Sequence, residues 1–115
     1  MQCAVDTREL FERFQDDRAF LSATIAMYLE ACDRDLRELG IAVEERDVER
    51  VARTAHKIKG SVSVFAAADA LASAAALERA GREQKSAALA PAFAALLREI
   101  ERLKLELSAL RTDAQ

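Results

Sequence analysis

The sequence predicts an all-α fold, an antiparallel up-down four-helix bundle with a short extra N-terminal helix. Alanine, leucine, glutamate and arginine are abundant and β-branched residues are sparse, a composition typical of helices. Only three glycines and one proline interrupt the chain, and apolar residues recur at spacings of three and four along most of it. Four long amphipathic helices joined by short connections bury their apolar faces most simply as an antiparallel bundle, with the first short helix as a lid.

The N-terminal part contains a short helix followed by a long one, which Asp16 or Asp17 can cap. The long helix carries an apolar stripe at helical spacing, formed by Leu21, Ile25, Tyr28, Leu29, Cys32, Leu36, Leu39 and Val43. Gly40 lies inside this stripe, but an interior glycine costs only about 1 kcal/mol. The helix is therefore predicted to continue to about Glu45.

Three further helices are predicted after Asp47, which supplies the next N-cap. The apolar stripe of the third helix consists of Val48, Val51, Ala55, Ile58, Val62 and Phe65. The fourth helix spans about residues 67–80, with Gly81 as its C-terminal stop. The last helix starts somewhere in residues 86–90, and Pro91 is tolerable only in or near its first turn.

Length and composition limit the classes of function. The 115 residues fit one domain over residues 1–115. Met1 and the clean ends favour a free-standing protein over a domain excised from a larger kinase, and we expect a monomer, with dimerisation through the leucine stripe of the last helix left open. A net charge of -3 provides no basic surface for nucleic acid, and no apolar run of about 18 residues could cross a membrane. A cytoplasmic protein is the expectation, because the N-terminus does not resemble a signal peptide. Cys3 and Cys32 lack the spacing of a zinc site or a disulfide framework.

The single histidine, His56, lies on the polar side of the third helix. Helical periodicity directs it about 140° away from the centre of the apolar stripe, so we expect it to face solvent. The residues within about 60° of it are Ala52, Arg53, Lys59, Gly60 and Ser63. A neutral imidazole can attack phosphorus, and the Lys59 ammonium could offset phosphoryl charge. An ordinary solvated helix face would have the same pattern, so periodicity alone leaves both interpretations open.

The segment from Ala55 to Ser61, AHKIKGS, resembles the A-H-x-[LI]-K-G-S signature of histidine phosphotransfer (Hpt) domains, including those of hybrid sensor kinases and chemotaxis kinases. Weaker similarity covers roughly residues 20–100. The resemblance implies a four-helix bundle with a phosphorylated histidine exposed in mid-helix. His56 would then be the phosphoacceptor, and Lys59 would supply phosphate electrostatics. The implied docking surface consists of Ala52, Arg53, Gly60 and Ser63.

Two further polar residues follow from the resemblance, because Hpt domains often place a polar residue opposite the histidine. Glu78 or Arg82, on the fourth helix, could take that position. The alternative interpretation is that Glu78 and Arg82 are solvated residues near a helix end. At two positions where the family often has glycine, the chain has Ser63 and Ala66. We expect these to stiffen the end of the third helix and to narrow the choice of docking partners, without loss of phosphorylation.

The resemblance implies a relay of a phosphoryl group from a kinase or receiver-domain aspartate to another receiver-domain aspartate. The implied partners are the receiver domain of a response regulator and a sensor or hybrid histidine kinase. The chain has no glycine-rich phosphate loop, so we expect no cofactor and no autonomous kinase activity, with Mg²⁺ on the partner receiver. Two alternatives stay open: a helical protein-binding adaptor in which His56 is incidental, and an inhibitor that docks a kinase or receiver without being phosphorylated.

Overall fold

The computed structural model describes residues 3–114, and side chains for residues 3–111. Its helices are α1 (Thr7–Arg13), α2 (Arg18–Glu44), α3 (Val48–Val62), α4 (Ala68–Arg82) and α5 (Ser86–Ala114), and one 3-10 turn, Ser63–Phe65, follows α3. Within these residues the backbone forms no strand. The all-α prediction is confirmed.

Helices α2 to α5 form a four-helix bundle. Each packs against two neighbours: α3 lies between α2 and α4, and α5 lies between α4 and α2. The seam between α3 and α4 is thus on the opposite side of the bundle from the seam between α2 and α5. The apolar stripes meet along the axis, where the fully buried side chains include Leu21, Ile25, Leu39, Phe65, Leu77, Leu89, Leu96, Ile100, Leu103 and Leu107.

Aspartate side chains begin three of the helices. Each accepts a hydrogen bond from the backbone N–H three residues further along, and the three residues are Asp6, Asp17 and Asp47. Such a cap satisfies one of the N–H groups that the first turn leaves unpaired, and it stabilises a helix by about 1 kcal/mol.

The connections between helices are made without glycine. The residues with positive φ are Gln15, Asp16, Arg46, Ala66 and Gln84. All three glycines lie inside helices instead, and the prediction that Gly81 stops the fourth helix is wrong. Helix α4 continues through Gly81 to Arg82, and the missing side chain at Gly81 lets the backbone of α3 pack directly against α4.

Pro91 is accommodated in α5. The helix starts at Ser86, inside the predicted range, so Pro91 lies in its second turn. A proline there cannot donate the hydrogen bond that the carbonyl of Ala87 would otherwise accept, and its own side chain is exposed.

The N-terminal segment and α1 cover one end of the bundle. The Glu106 carboxylate on α5 accepts hydrogen bonds from the backbone N–H groups of Ala4 and Val5, at 2.7 and 3.0 Å. At the C-terminal end of α1, the Arg13 guanidinium donates to the carbonyl of Ser63 at 2.7 Å. The N-terminal segment and α1 therefore bind the connection between α3 and α4.

Candidate functional site

His56 lies in the middle of α3 with 63% of its side chain exposed. The buried residues of that helix, Val51, Thr54, Ala55, Ile58 and Val62, face the bundle axis and leave the imidazole on the solvent side. Periodicity therefore placed this side chain on the correct face.

A carboxylate from the neighbouring helix lies beneath the imidazole. Glu78 on α4 has only 4% of its side chain exposed, and its Oε2 is 2.9 Å from Nδ1 of His56. The Lys59 ammonium lies 2.7 Å from the other oxygen, Oε1. Nη2 of Arg82, one turn further along α4, lies 2.6 Å from Oε2. The structure thus brings three of the sequence-predicted site residues, His56, Lys59 and Arg82, around the buried carboxylate of a fourth, Glu78.

These contacts decide the charge of Glu78. Burial raises the pKa of its carboxyl, but the hydrogen bonds from Lys59 and His56 and the charge of Arg82 outweigh this effect. The net result is a pKa below the ordinary value, so the buried group is a carboxylate at neutral pH.

The ionised carboxylate fixes the tautomer of the neutral imidazole. A carboxylate can only accept hydrogen bonds, so Nδ1 of His56 must carry the proton that Glu78 accepts. The lone pair of the neutral ring is then on Nε2, which accepts no hydrogen bond from the described residues. The imidazole therefore exposes Nε2 as a nucleophile, while the Glu78 carboxylate binds Nδ1.

A second ion pair lies on the other side of His56. Lys57 Nζ is 3.2 Å from Oδ1 of Asp35, a buried residue of α2, although outside the angular range of a hydrogen bond. The two lysines that follow the histidine in sequence therefore point to different helices, Lys57 to α2 and Lys59 to α4. Only Lys59 belongs to the cluster around Glu78.

Comparison with known proteins assigns the sequence to a family. A model of the Hpt domain matches residues 23–113, which is most of the chain. The chain belongs to the Hpt domain family. Hpt domains act in histidine phosphotransfer within phosphorelays, and their partners are receiver domains and histidine kinases. Comparisons with curated proteins and with solved structures found no match.

The four predicted docking residues of this Hpt domain differ in their surroundings. Arg53 and Gly60 are exposed, and a Cβ built on Gly60 meets nothing within 4 Å. Ala52 is half-buried where α3 crosses α4, with its backbone close to Gly81. Ser63 is exposed, but its hydroxyl donates to the carbonyl of Gly60 at 2.6 Å. Arg53, Gly60 and Ser63 are therefore accessible to a partner, whereas α4 partly covers Ala52.

Exposed apolar side chains add a surface that the sequence analysis did not single out. Phe20, Met27 and Val64 are 61%, 72% and 40% exposed. Asp35 on α2 faces α3. Viewed along the axis of α2, the directions of Phe20 and Met27 are rotated from that of Asp35 by about 60° and 80° toward solvent. Val64 lies in the 3-10 turn that follows α3. We call these three residues the apolar patch; their positions off the core stripe were the sequence signal.

The remaining features of this Hpt domain concern metals, membranes and thiols. Among residues 3–111, no three His, Cys, Asp or Glu side chains are grouped closely enough to hold a metal ion. No described helix has the length and apolar character needed to span a membrane. Cys3 is exposed and Cys32 is buried, and both are free thiols. Burial raises the pKa of the Cys32 thiol, which disfavours the reactive thiolate.

Proposed function

We propose that this Hpt domain carries a phosphoryl group on Nε2 of His56. The group would come from a histidine kinase or a receiver-domain aspartate and pass to a second receiver-domain aspartate. The observation that carries the proposal is the 2.9 Å contact between the exposed imidazole and the buried Glu78 carboxylate. It assigns the proton to Nδ1 and leaves Nε2 as the nucleophile.

In the proposed transfer, the lone pair of Nε2 attacks the phosphorus of an aspartyl phosphate. The N–P bond forms while the O–P bond breaks, and the bonding electrons leave with the aspartate carboxylate. The ring becomes positively charged because Nδ1 keeps its proton, and Glu78, 2.9 Å away, stabilises that charge. In the second transfer a receiver aspartate attacks phosphorus and the neutral imidazole leaves.

Cations beside the imidazole support the same chemistry. The Lys59 ammonium binds the same Glu78 carboxylate as His56. From there it can offset negative charge on the transferred phosphoryl group. A cleft of ≈ 240 Å³ opens there, lined by Lys59, Ala75, Glu78, Arg79 and Arg82. The metal that phosphoryl transfer from aspartate requires would be Mg²⁺ bound by the receiver, and the Hpt domain would contribute no kinase activity of its own.

Gly60 and the apolar patch are the proposed docking surface for the receiver. A glycine in an exposed helix position costs about 1 kcal/mol relative to alanine, and packing inside this chain gives no reason for it. Its value is the space that it leaves beside His56, which a closely docked receiver would use. The patch formed by Phe20, Met27 and Val64 would supply apolar contact area on the α2 side of the histidine.

The test is transfer of labelled phosphate from phosphorylated receivers to the wild-type chain and to His56→Gln. We expect an acid-labile phosphohistidine in the wild type, none in the variant, and identical helical circular dichroism. Because His56 is the only histidine, retained acid-labile phosphate in His56→Gln would contradict the assignment. Receiver binding that is indifferent to phosphate and to His56 would favour an adaptor. Binding to a kinase with loss of kinase activity, and no labelling, would favour an inhibitor.

A further inference from the structure

The backbones of helices α3 and α4 come close together at Gly81. A Cβ built on this residue would lie 2.8 Å from the carbonyl oxygen of Val48 and 3.0 Å from the backbone nitrogen of Ala52. Both atoms belong to the backbone of α3, so no side-chain rotation could relieve such a contact. Gly81 therefore allows one helix backbone to touch the other.

This contact is in register with the site. Gly81 follows Glu78 by three residues on α4, and Ala52 precedes His56 by four residues on α3. Residues three or four apart lie on the same face of a helix, one turn from each other. Because α3 and α4 are antiparallel, the contact of Gly81 with Ala52 and that of Glu78 with His56 are successive steps along one interface.

The spacing of the two helices at Gly81 bears on the reach of Glu78. To restore ordinary contact at 3.4 Å, a methyl group at position 81 would have to move about 0.6 Å away from Val48. If α4 moved by this amount as a rigid body and the Glu78 side chain kept its conformation, the bond from His56 Nδ1 to Glu78 Oε2 would lengthen from 2.9 Å to about 3.5 Å. At that length the carboxylate no longer holds the ring proton firmly.

We propose that Gly81 is a positioning residue for His56. By letting the α4 backbone rest on α3, it sets the distance at which Glu78 holds the Nδ1 proton and so keeps Nε2 free. The role of the tautomer in transfer rests on the proposed function, whereas the effect of Gly81 on the tautomer does not.

Gly40 provides a matched control. It is also a glycine inside a helix, and a Cβ there would lie 3.3 Å from the ring of Phe93, at the seam of α2 and α5. That seam is on the opposite side of the bundle from His56. Gly81→Ala and Gly40→Ala thus add the same methyl group to the same secondary structure, at different distances from the site.

The experiment measures the tautomer of His56 from the ¹⁵N shifts of its ring, at a pH where the imidazole is neutral. We expect a dominant Nδ1–H form in the wild type and in Gly40→Ala, and a mixture of tautomers in Gly81→Ala. Transfer from a phosphorylated receiver should fall about tenfold in Gly81→Ala alone. An unchanged tautomer in Gly81→Ala would overturn the proposal, and so would an equal change in Gly40→Ala.

A second background keeps the test decisive if Gly81→Ala does not fold. Ala66 is in the left-handed region with φ 54°, where glycine is less strained, so Ala66→Gly should stabilise the chain. The double variant Ala66→Gly/Gly81→Ala is then compared with the single variant Ala66→Gly. The tautomer is measured on the unphosphorylated protein. If the wild-type chain accepts no phosphate, the proposed function is wrong, and the ¹⁵N shifts still decide the role of Gly81.

Discussion

Glu78 is buried beneath His56, and its Oε2 lies 2.9 Å from the ring Nδ1. The first prediction concerns the negative charge of this carboxylate. Glu78→Gln keeps an oxygen that can accept the Nδ1 proton but removes the charge that stabilises the phosphorylated, cationic ring. We expect transfer to slow about 10- to 100-fold, as measured by rapid-quench labelling with a phosphorylated receiver.

Glu101→Gln is the control for this change, because it removes an exposed carboxylate from α5, which does not neighbour α3. It should transfer at the wild-type rate. A Glu78→Gln protein that matches Glu101→Gln in rate would show that the buried charge plays no part in the chemistry.

The second prediction is a pH dependence of stability. The pKa of Glu78 is lowered in the folded chain from an ordinary 4.5, because its bonds to Lys59 and His56 and the charge of Arg82 outweigh the effect of burial. A lowered carboxyl pKa contributes stability above the unfolded-state value, and that contribution is lost as pH falls through the folded-state value. Wild type should therefore be more stable than Glu78→Gln at pH 7, and the difference should shrink from about pH 5 downward.

Urea unfolding of both proteins at neutral and acidic pH measures that difference. A gap in unfolding free energy that stays constant down to about pH 3 would mean that Glu78 is not stabilised as a carboxylate in the folded state.

The third prediction separates the two lysines that follow His56 in sequence. Lys59→Ala should slow transfer about tenfold without abolishing it, because it removes one charged contact beside the phosphoryl group. Lys57→Ala removes the same charge from a side chain that faces Asp35 on α2, and its transfer rate should stay near that of wild type. Equal rates for both variants would reduce Lys59 to a structural partner of Glu78.

Much of the fold follows from local rules that the sequence displays. Apolar spacing and aspartate caps predict where the helices start, as Asp17 and Asp47 illustrate. Gly81 was misassigned because the usual association of glycine with helix ends describes one helix in isolation. Its actual role depends on a neighbouring backbone, which periodicity does not represent. The left-handed positions here are held by residues such as Arg46 and Gln84, for which no local pattern predicts positive φ.

The site was predictable in part for the same reason. The face of α3 that carries His56 and Lys59 follows from helical geometry within one segment. The placement of Glu78 depends on the register of α4 against α3, so solvated and buried positions were equally compatible with its sequence spacing. Only the packed bundle distinguishes them, by leaving 4% of that side chain exposed.

The fourth prediction concerns Gly60. A Cβ at this position meets nothing within 4 Å, so Gly60→Ala should stabilise the chain by about 0.5–1 kcal/mol through helix propensity. The same methyl group would enter the space beside His56 that a docked receiver occupies, and transfer should slow. Unfolding in urea and receiver kinetics measure the two effects. A variant that is more stable and equally fast would exclude a docking role for this glycine.

The fifth prediction tests the apolar patch with a matched pair of exposed side chains. Met27 on α2 is 72% exposed and Leu105 on α5 is 73% exposed, so replacing either by serine removes a similar apolar surface at little cost in stability. Met27 lies on the exposed surface of α2 beside α3, whereas Leu105 lies on α5, which packs against α2 and α4. We expect Met27→Ser to raise the receiver concentration needed for half-maximal transfer several-fold while leaving the maximal rate unchanged, because it weakens docking and not chemistry. Leu105→Ser should match wild type in both quantities. The same loss in both variants would indicate a nonspecific effect, and no loss in Met27→Ser would place the receiver on α3 and α4 instead.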